Sequence, residues 1–147
     1  MGTRSTIHFI RKRGEKLEPM VTIYQQFDGY IDGVGHELAE FLLSKKIING
    51  ISSVRDNFHY ANGFGCLIAQ YIREHKDSVG NLYITNLDDS QEYNYYVEFD
   101  EDKYFSKDIF DDKLFEVDEL ITIEVDSTPA FRGKPSELLE FEENFDE

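Results

Sequence analysis

The chain has no tryptophan, one cysteine (Cys66), two methionines and three prolines among 147 residues. A single thiol can neither close an intramolecular disulfide nor build a cysteine-rich zinc site, and such usage fits a reducing compartment. No stretch approaches the roughly 18 consecutive apolar residues of a membrane span. The opening Met1-Gly2-Thr3-Arg4-Ser5-Thr6-Ile7-His8-Phe9-Ile10 lacks the apolar run and small-residue cleavage site of a secretory leader. These absences predict a cytoplasmic protein without membrane association. Basic residues are also scarce, with 15 Lys and Arg against 30 Asp and Glu and a formal charge of -15. The shortage lies in the second half: residues 1–80 hold ten basic and nine acidic side chains, residues 81–147 five and twenty-one. Such a field disfavours direct nucleic-acid binding. It leaves open a surface imitating DNA phosphates, an oligomer keeping itself soluble, and an ordinary solvated face.

Signatures of common enzymes are missing too. Gly133-Lys134-Pro135-Ser136 lacks the preceding glycine of a Walker loop, there is no His-Glu-x-x-His pair, and no serine sits in a nucleophile elbow. Cys66 could meet His8, His36, His59 or His75 only by folding, and its spacing gives no sign of it. Asp100, Glu101, Asp102, Asp111 and Asp112 do not follow the calcium-loop pattern with its central glycine. The expectation is a protein without catalysis, resident metal or cofactor.

What is present is periodicity. Ile7 and Phe9, then Val21 and Ile23, alternate with polar residues on either side of Arg11-Lys12-Arg13-Gly14-Glu15, which predicts a hairpin. Val34, Leu38, Phe41 and Leu42 share one helical face, giving a first helix over about 34–46 with Lys45 and Lys46 at its end. Phe64, Leu67, Ile68, Tyr71, Ile72 and His75 follow helical spacing closely and give a second. Alternation returns at Leu82 and Ile84, at Tyr93, Tyr95, Val97 and Phe99, and at Ile121, Ile123 and Val125, while 103–116 resists assignment. The order predicts an α+β fold: a single domain over 1–134, an antiparallel β-sheet with two amphipathic helices packed on one face. Residues 135–147 read as an acidic C-terminal tail, expected to fray. Tyr83, Tyr93, Tyr95, Tyr96 and Phe99 put aromatic rings on both sheet faces, and an open aromatic face suits either a second subunit or a flat ligand. Their other reading is burial under the helices.

The candidate binding residues stand before the two helices. Tyr24, Phe27, Asp28, Gly29, Tyr30, Gly33 and Gly35 precede the first, and Asn62, Gly63 and Gly65 surround the start of the second. Glycines admit close backbone approach, and helix starts offer unpaired N–H groups with the positive dipole end, a combination suited to phosphate. Arg4 adds a guanidinium, with Arg11 and Arg13 farther along the strand, and Tyr24, Phe27 or Tyr30 could stack a base while Asp28 or Asn62 takes ribose hydroxyls. The competing reading is that the glycines make tight turns and that Asp28, Asp32 and Asn62 cap them.

Met1-Gly2-Thr3-Arg4-Ser5, the Tyr24-x-x-Phe27-Asp28-Gly29-Tyr30 segment with Gly33 and Gly35, and Asn62-Gly63-Phe64-Gly65-Cys66 resemble small phage and prophage proteins over roughly residues 1–100. Size and element order are similar to phage anti-defence sponges, especially the first Thoeris anti-defence family. The resemblance implies a non-enzymatic homo-oligomer in the cytoplasm of an infected bacterial host, capturing a nucleotide-derived immune signal such as a cyclic ADP-ribose isomer or a cyclic oligonucleotide. No ligand contact is transferred from that family residue by residue. The alternative is an acidic DNA mimic or protein-binding inhibitor of a host defence enzyme.

Overall fold

A computed structural model of the chain describes residues 2–50, 56, 58–106 and 114–142. The predicted hairpin is formed by β1 (Ser5–Arg13) and β2 (Lys16–Gln25), paired antiparallel with an irregularity between Phe9 and Ile10. A single π-helical turn, Ile31–Gly35, leads into α1 (His36–Leu43), so the first helix stops before Lys45 and Lys46. Two short strands, β3 (Lys46–Ile48) and β4 (Tyr60–Asn62), precede α2 (Phe64–His75), whose bounds match the periodicity. Then follow β5 (Leu82–Thr85), β6 (Tyr93–Asp100), α3 (Glu101–Phe105), β7 (Phe115–Glu116), α4 (Val117–Leu120), β8 (Ile121–Asp126), β9 (Phe131–Gly133) and α5 (Pro135–Glu140).

Six strands form the main sheet in the order β5-β2-β1-β6-β8-β9, and β4-β3-β7 form a small second one. The main sheet is not wholly antiparallel, because β1 and β6 run in the same direction. β5 pairs antiparallel with β2 and so also points along β6. The chain between them must return across the sheet, as any two like-directed strands require. It passes over the face away from the helices, where Asp89 and Gln91 of this connection meet Tyr24, Tyr83 and Thr85.

The other face carries the core. Ile7, Phe9, Ile23, Tyr95, Val97, Phe99, Ile121, Ile123 and Val125 point from the sheet toward Leu38, Phe41 and Leu42 of α1 and Phe64, Leu67 and Tyr71 of α2. Phe64 stacks on Phe99 at 4.6 Å, fixing the start of α2 at the end of the sheet where β6 finishes. The same end holds Tyr104, whose hydroxyl donates to Ile48 O at 2.7 Å and ties the small sheet to α3. Burial, with the charges of Cys66 and Glu101 adding, pushes the Tyr104 phenol up to about 12. The tail is a correction to the expected fraying: Pro135 opens α5 and Leu138 is fully buried, because the acidic residues flanking it face away from the apolar contact. Residues 143–147 lie outside the described residues. The aromatic residues divide by strand alternation, with Tyr95 and Phe99 in the core and Tyr83 and Tyr96 on the opposite face.

That opposite face buries a polar chain instead of a hydrophobic one. His8 is 1 % exposed and stacks on Tyr96 at 4.7 Å. Thr6 Oγ1 donates to Asn94 Oδ1 at 2.6 Å, which leaves the Thr6 oxygen to accept from His8 Nε2 at 2.9 Å. His8 Nδ1 then accepts from Thr22 Oγ1 at 3.2 Å, and Asn94 holds the crossover through the Gln91 N–H at 2.9 Å. Burial lowers the His8 pKa below its ordinary value, against a weaker opposite pull from Asp89. The unfolded chain therefore takes up a proton that the folded one refuses, and stability falls as the pH drops below about 6.5. In urea titrations at about pH 7.5 and 5.5, His8→Gln is expected to shrink the difference between the two midpoints. An undiminished difference would remove His8 from the pH response.

Candidate functional site

Between the end of β2 and α1 the chain makes a tight loop whose bonds close on themselves. Asp28 adopts a left-handed backbone with φ 59°, a conformation Asp tolerates better than most side chains, and its carbonyl accepts from Val34 N at 2.8 Å. Gly33 N donates to Tyr30 O at 2.9 Å, Gly35 N to the same oxygen at 3.4 Å, and Gly29 N to Thr3 O at 2.8 Å. The His36 N–H is spent on Gly33 O and Ile31 O. Tyr95 anchors the whole loop from the sheet by donating to Gly29 O at 2.7 Å.

The C-terminal end of α2 arrives beside this loop. His75 O accepts from Asn81 Nδ2 at 2.7 Å, and Asn81 O accepts from Gln26 N at 3.2 Å, so the helix end is pinned to the end of β2. Between the two lies a cavity of about 390 Å³ lined by Gln25, Phe27, Asp28, Gly33, Val34, Glu37, Glu74, His75, Asp77, Ser78 and Asn81. This volume lies within the range of small-ligand sites.

Its electrostatics are one-sided. Four carboxylates line it, no Lys or Arg among the described residues does, and the last carbonyls of α2 add the negative end of the helix dipole. Glu74 is neutralised by Lys45 Nζ at 2.6 Å, a lysine buried to 2 % exposure that also donates to Phe58 O. Asp28 accepts from Tyr30 Oη at 3.2 Å, a neutral partner. His75 Nδ1 donates to Tyr71 O at 2.7 Å, because a carbonyl can only accept. Deeper in, the Tyr71 hydroxyl donates to Gln25 Oε1 at 2.7 Å. Burial pushes the Tyr71 phenol well above its ordinary value, with the charge of Glu37 acting in the same direction and the Gln25 bond against it.

The sequence-predicted residues are only partly brought together. Phe27, Asp28 and Gly33 line the cavity, and Phe27 is 54 % exposed at its edge. Gly29, Tyr30 and Gly35 shape the loop behind it. Arg4 is exposed just before β1, its backbone against Gly29. Tyr24 faces the other side of the sheet, where its hydroxyl donates to Gln26 Oε1 at 2.6 Å beside Tyr83. Asn62, Gly63 and Gly65 stand at the opposite end of α2, about 18 Å away for twelve residues at 1.5 Å each. Asn62 Oδ1 there accepts from Gly50 N at 2.8 Å, and the Gly63 φ of 91° makes a turn against Tyr104.

The expected joint anion site of the two helix entrances is thus corrected on two grounds. The entrances lie at opposite ends of α2, and the amides of Gly29, Gly33 and Gly35 are already bonded. Arg11 and Arg13 are likewise engaged, with Glu18 at 3.1 Å and Glu101 at 2.6 Å. Asp100 caps α3 through Lys103 N at 3.1 Å, and Asp111 and Asp112 lie outside the described residues. Among the described residues no group of three or more His, Cys, Asp or Glu side chains is placed to hold a metal ion. No helix there is long and apolar enough to cross a membrane.

Gln25, Glu37, Glu74, Asp77, Ser78 and Asn81 are not singled out by the sequence patterns, and His75 stands there only on the stripe of the second helix and as a possible partner of Cys66. Gln25 did carry a signal: it continues the Val21, Ile23 alternation and so occupies a core-facing position with a polar side chain. Comparison with family models, with curated proteins and with solved structures finds no match for this chain.

Proposed function

We propose that this protein works by stoichiometric capture, holding a small nucleotide-derived ligand through its nucleoside end in the cavity between the Asp28 loop and the end of α2. The observation that carries the reading is the convergence of Phe27, Asp28 and Gly33 with buried Gln25 on one ligand-sized space. Phe27 supplies a flat apolar wall, and Asp28, Glu37 and Asp77 accept from amino or hydroxyl groups. Phosphates stay outside, since acidic walls and an acidic protein repel them. Removal of an immune signal in an infected bacterium is the biological form of this proposal, and capture needs affinity, not transition-state selectivity.

Equilibrium dialysis against nucleosides, ADP-ribose, cyclic ADP-ribose isomers and cyclic di- and trinucleotides tests it. The expected result is retention of a nucleoside-bearing ligand that is recovered chemically intact after heat release. Phe27→Ala with Asp28→Asn should weaken retention at least about tenfold, the loss of one hydrogen bond to a charged group or more. Raising the salt should help phosphate-bearing ligands and leave nucleosides unchanged. No retention across the series, or recovery of an altered ligand, would refute capture.

A second reading, the acidic inhibitor of a defence enzyme, draws on the charge of the second half. On the open face Arg132 is the counter-ion of both Glu98 and Glu124, at 3.5 and 2.9 Å. Binding of that kind would weaken steeply with salt and survive Phe27→Ala with Asp28→Asn.

A further inference from the structure

The polar side chain whose orientation the fold fixes beside the cavity is Gln25. It is 6 % exposed, sits at the last position of β2 and lines the cavity. Its Oε1 accepts the proton of Tyr71, whose ring is fully buried and stacked against His75 at 4.0 Å. Turning the amide over would leave the Tyr71 proton without an acceptor, so the bond fixes which end of Gln25 faces the cavity. That end is Nε2, with two N–H donors and no hydrogen-bond partner among the described residues. A donor held toward the cavity in this way is placed to meet an acceptor from outside the chain.

The rest of the lining asks for the opposite. The carboxylates of Asp28, Glu37 and Asp77 only accept. Asn81 gives one N–H to His75 O and its oxygen to Ser78 N at 3.3 Å, so the carboxylates outnumber the donors that Asn81 and the Ser78 hydroxyl still offer. A complementary ligand therefore shows one acceptor to Gln25 and more than one donor to its neighbours. Adenine's edge offers one donor group beside a ring nitrogen. Guanine's edge offers a carbonyl beside a ring N–H and an amino group, which is the required excess of donors. We propose that Gln25 is the specificity-determining residue of this cavity, donating Nε2–H to the carbonyl of a guanine-type base whose N–H groups donate to Glu37 and Asp28. Glu37 is the carboxylate whose charge reaches the Tyr71 hydroxyl, the same hydroxyl that holds Gln25. Phe27 supplies the stacking surface at the edge.

This rests on the capture reading, and calorimetry separates the two. The probes are guanosine, adenosine and 2,6-diaminopurine riboside, the last carrying an amino group where guanosine has its carbonyl. Wild-type protein is expected to favour guanosine over diaminopurine riboside by about 10- to 100-fold, the consequence of one donor facing another at Gln25 and of a bare ring nitrogen facing a carboxylate where guanosine has N1–H. Gln25→Glu replaces the donor by an acceptor and is expected to reverse that order. A change of rank cannot come from partial unfolding, which weakens all three together. Tyr71→Phe frees the amide to turn and should narrow the preference to within about threefold while Gln25→Glu keeps its reversed order. If none of the three binds wild type, nucleoside capture and this assignment both fall. If guanosine binds, is weakened by Asp28→Asn, and keeps its rank in Gln25→Glu, capture stands and the role of Gln25 is overturned.

Discussion

Tyr71→Ala is expected to lower the unfolding free energy by about 3–5 kcal/mol, the range for truncating a large buried aromatic. Tyr71 is fully buried, packed 5.2 Å from Phe41 and 6.0 Å from Phe9, and stacked on His75. Truncation opens a cavity between both helices and the sheet, and it strands Gln25 Oε1 without its donor. The two costs differ in kind, and a second variant divides them. Tyr71→Phe keeps the ring and should cost about 1–2 kcal/mol, the price of one buried hydrogen bond. Urea denaturation with m-values monitored reads both numbers. A loss below about 1.5 kcal/mol for the alanine would mean that α2 does not dock as described.

Gly33→Ala acts on the wall of the cavity itself. A Cβ there would stand 2.2 Å from Asp28 O and 3.1 Å from Asp28 C, both backbone atoms. Neither can withdraw without losing the Val34 N to Asp28 O bond that closes the loop. The expected cost is about 1–3 kcal/mol, as for overpacking elsewhere, together with loss of ligand retention. Gly65→Ala is the control of opposite sign. Its Cβ meets nothing within 4 Å inside α2, so it should stabilise by about 0.5–1 kcal/mol through helix propensity and leave binding unchanged. Unchanged stability and ligand retention in Gly33→Ala would show that loop closure does not depend on Gly33.

Much of the fold was legible because the elements that show it have a clean period. Ile7, Phe9, Val21 and Ile23 alternate across the hairpin, and Phe64, Leu67, Ile68 and Tyr71 lie on one stripe of α2. The parallel pairing of β1 with β6 was not legible. Alternation tells which face a residue takes but not which way its strand runs, and the crossover that decides it is held by Asn94, whose Oδ1 accepts from both Thr6 Oγ1 and the Gln91 N–H. The short sheet was hidden for a different reason, since strands of two or three residues carry no period. In α5, only Pro135 and Leu138 are buried, within a segment whose composition reads as solvent-exposed.

The site was half legible for a geometric reason. Both glycine segments precede helices, and sequence places them in one class without saying that α2 carries its start to the far end of the sheet. The helix end that does reach the Asp28 loop is the opposite one, with Glu74, His75 and the negative dipole. In the proposed capture, that reversal favours a donor-rich base over phosphate as the ligand group facing the protein.

The most direct measurement is a titration of ¹⁵N-labelled protein with guanosine, followed in ¹H–¹⁵N correlation spectra that include the side-chain amides. The expected result is saturable shifts confined to Phe27, Asp28, Gly33, Asn81 and the Nε2 amide pair of Gln25, with Tyr24, Tyr96 and the start of α2 unmoved. Shifts centred on Gly63 and Gly65 or on the open sheet face, or none at millimolar guanosine, would contradict capture in this cavity.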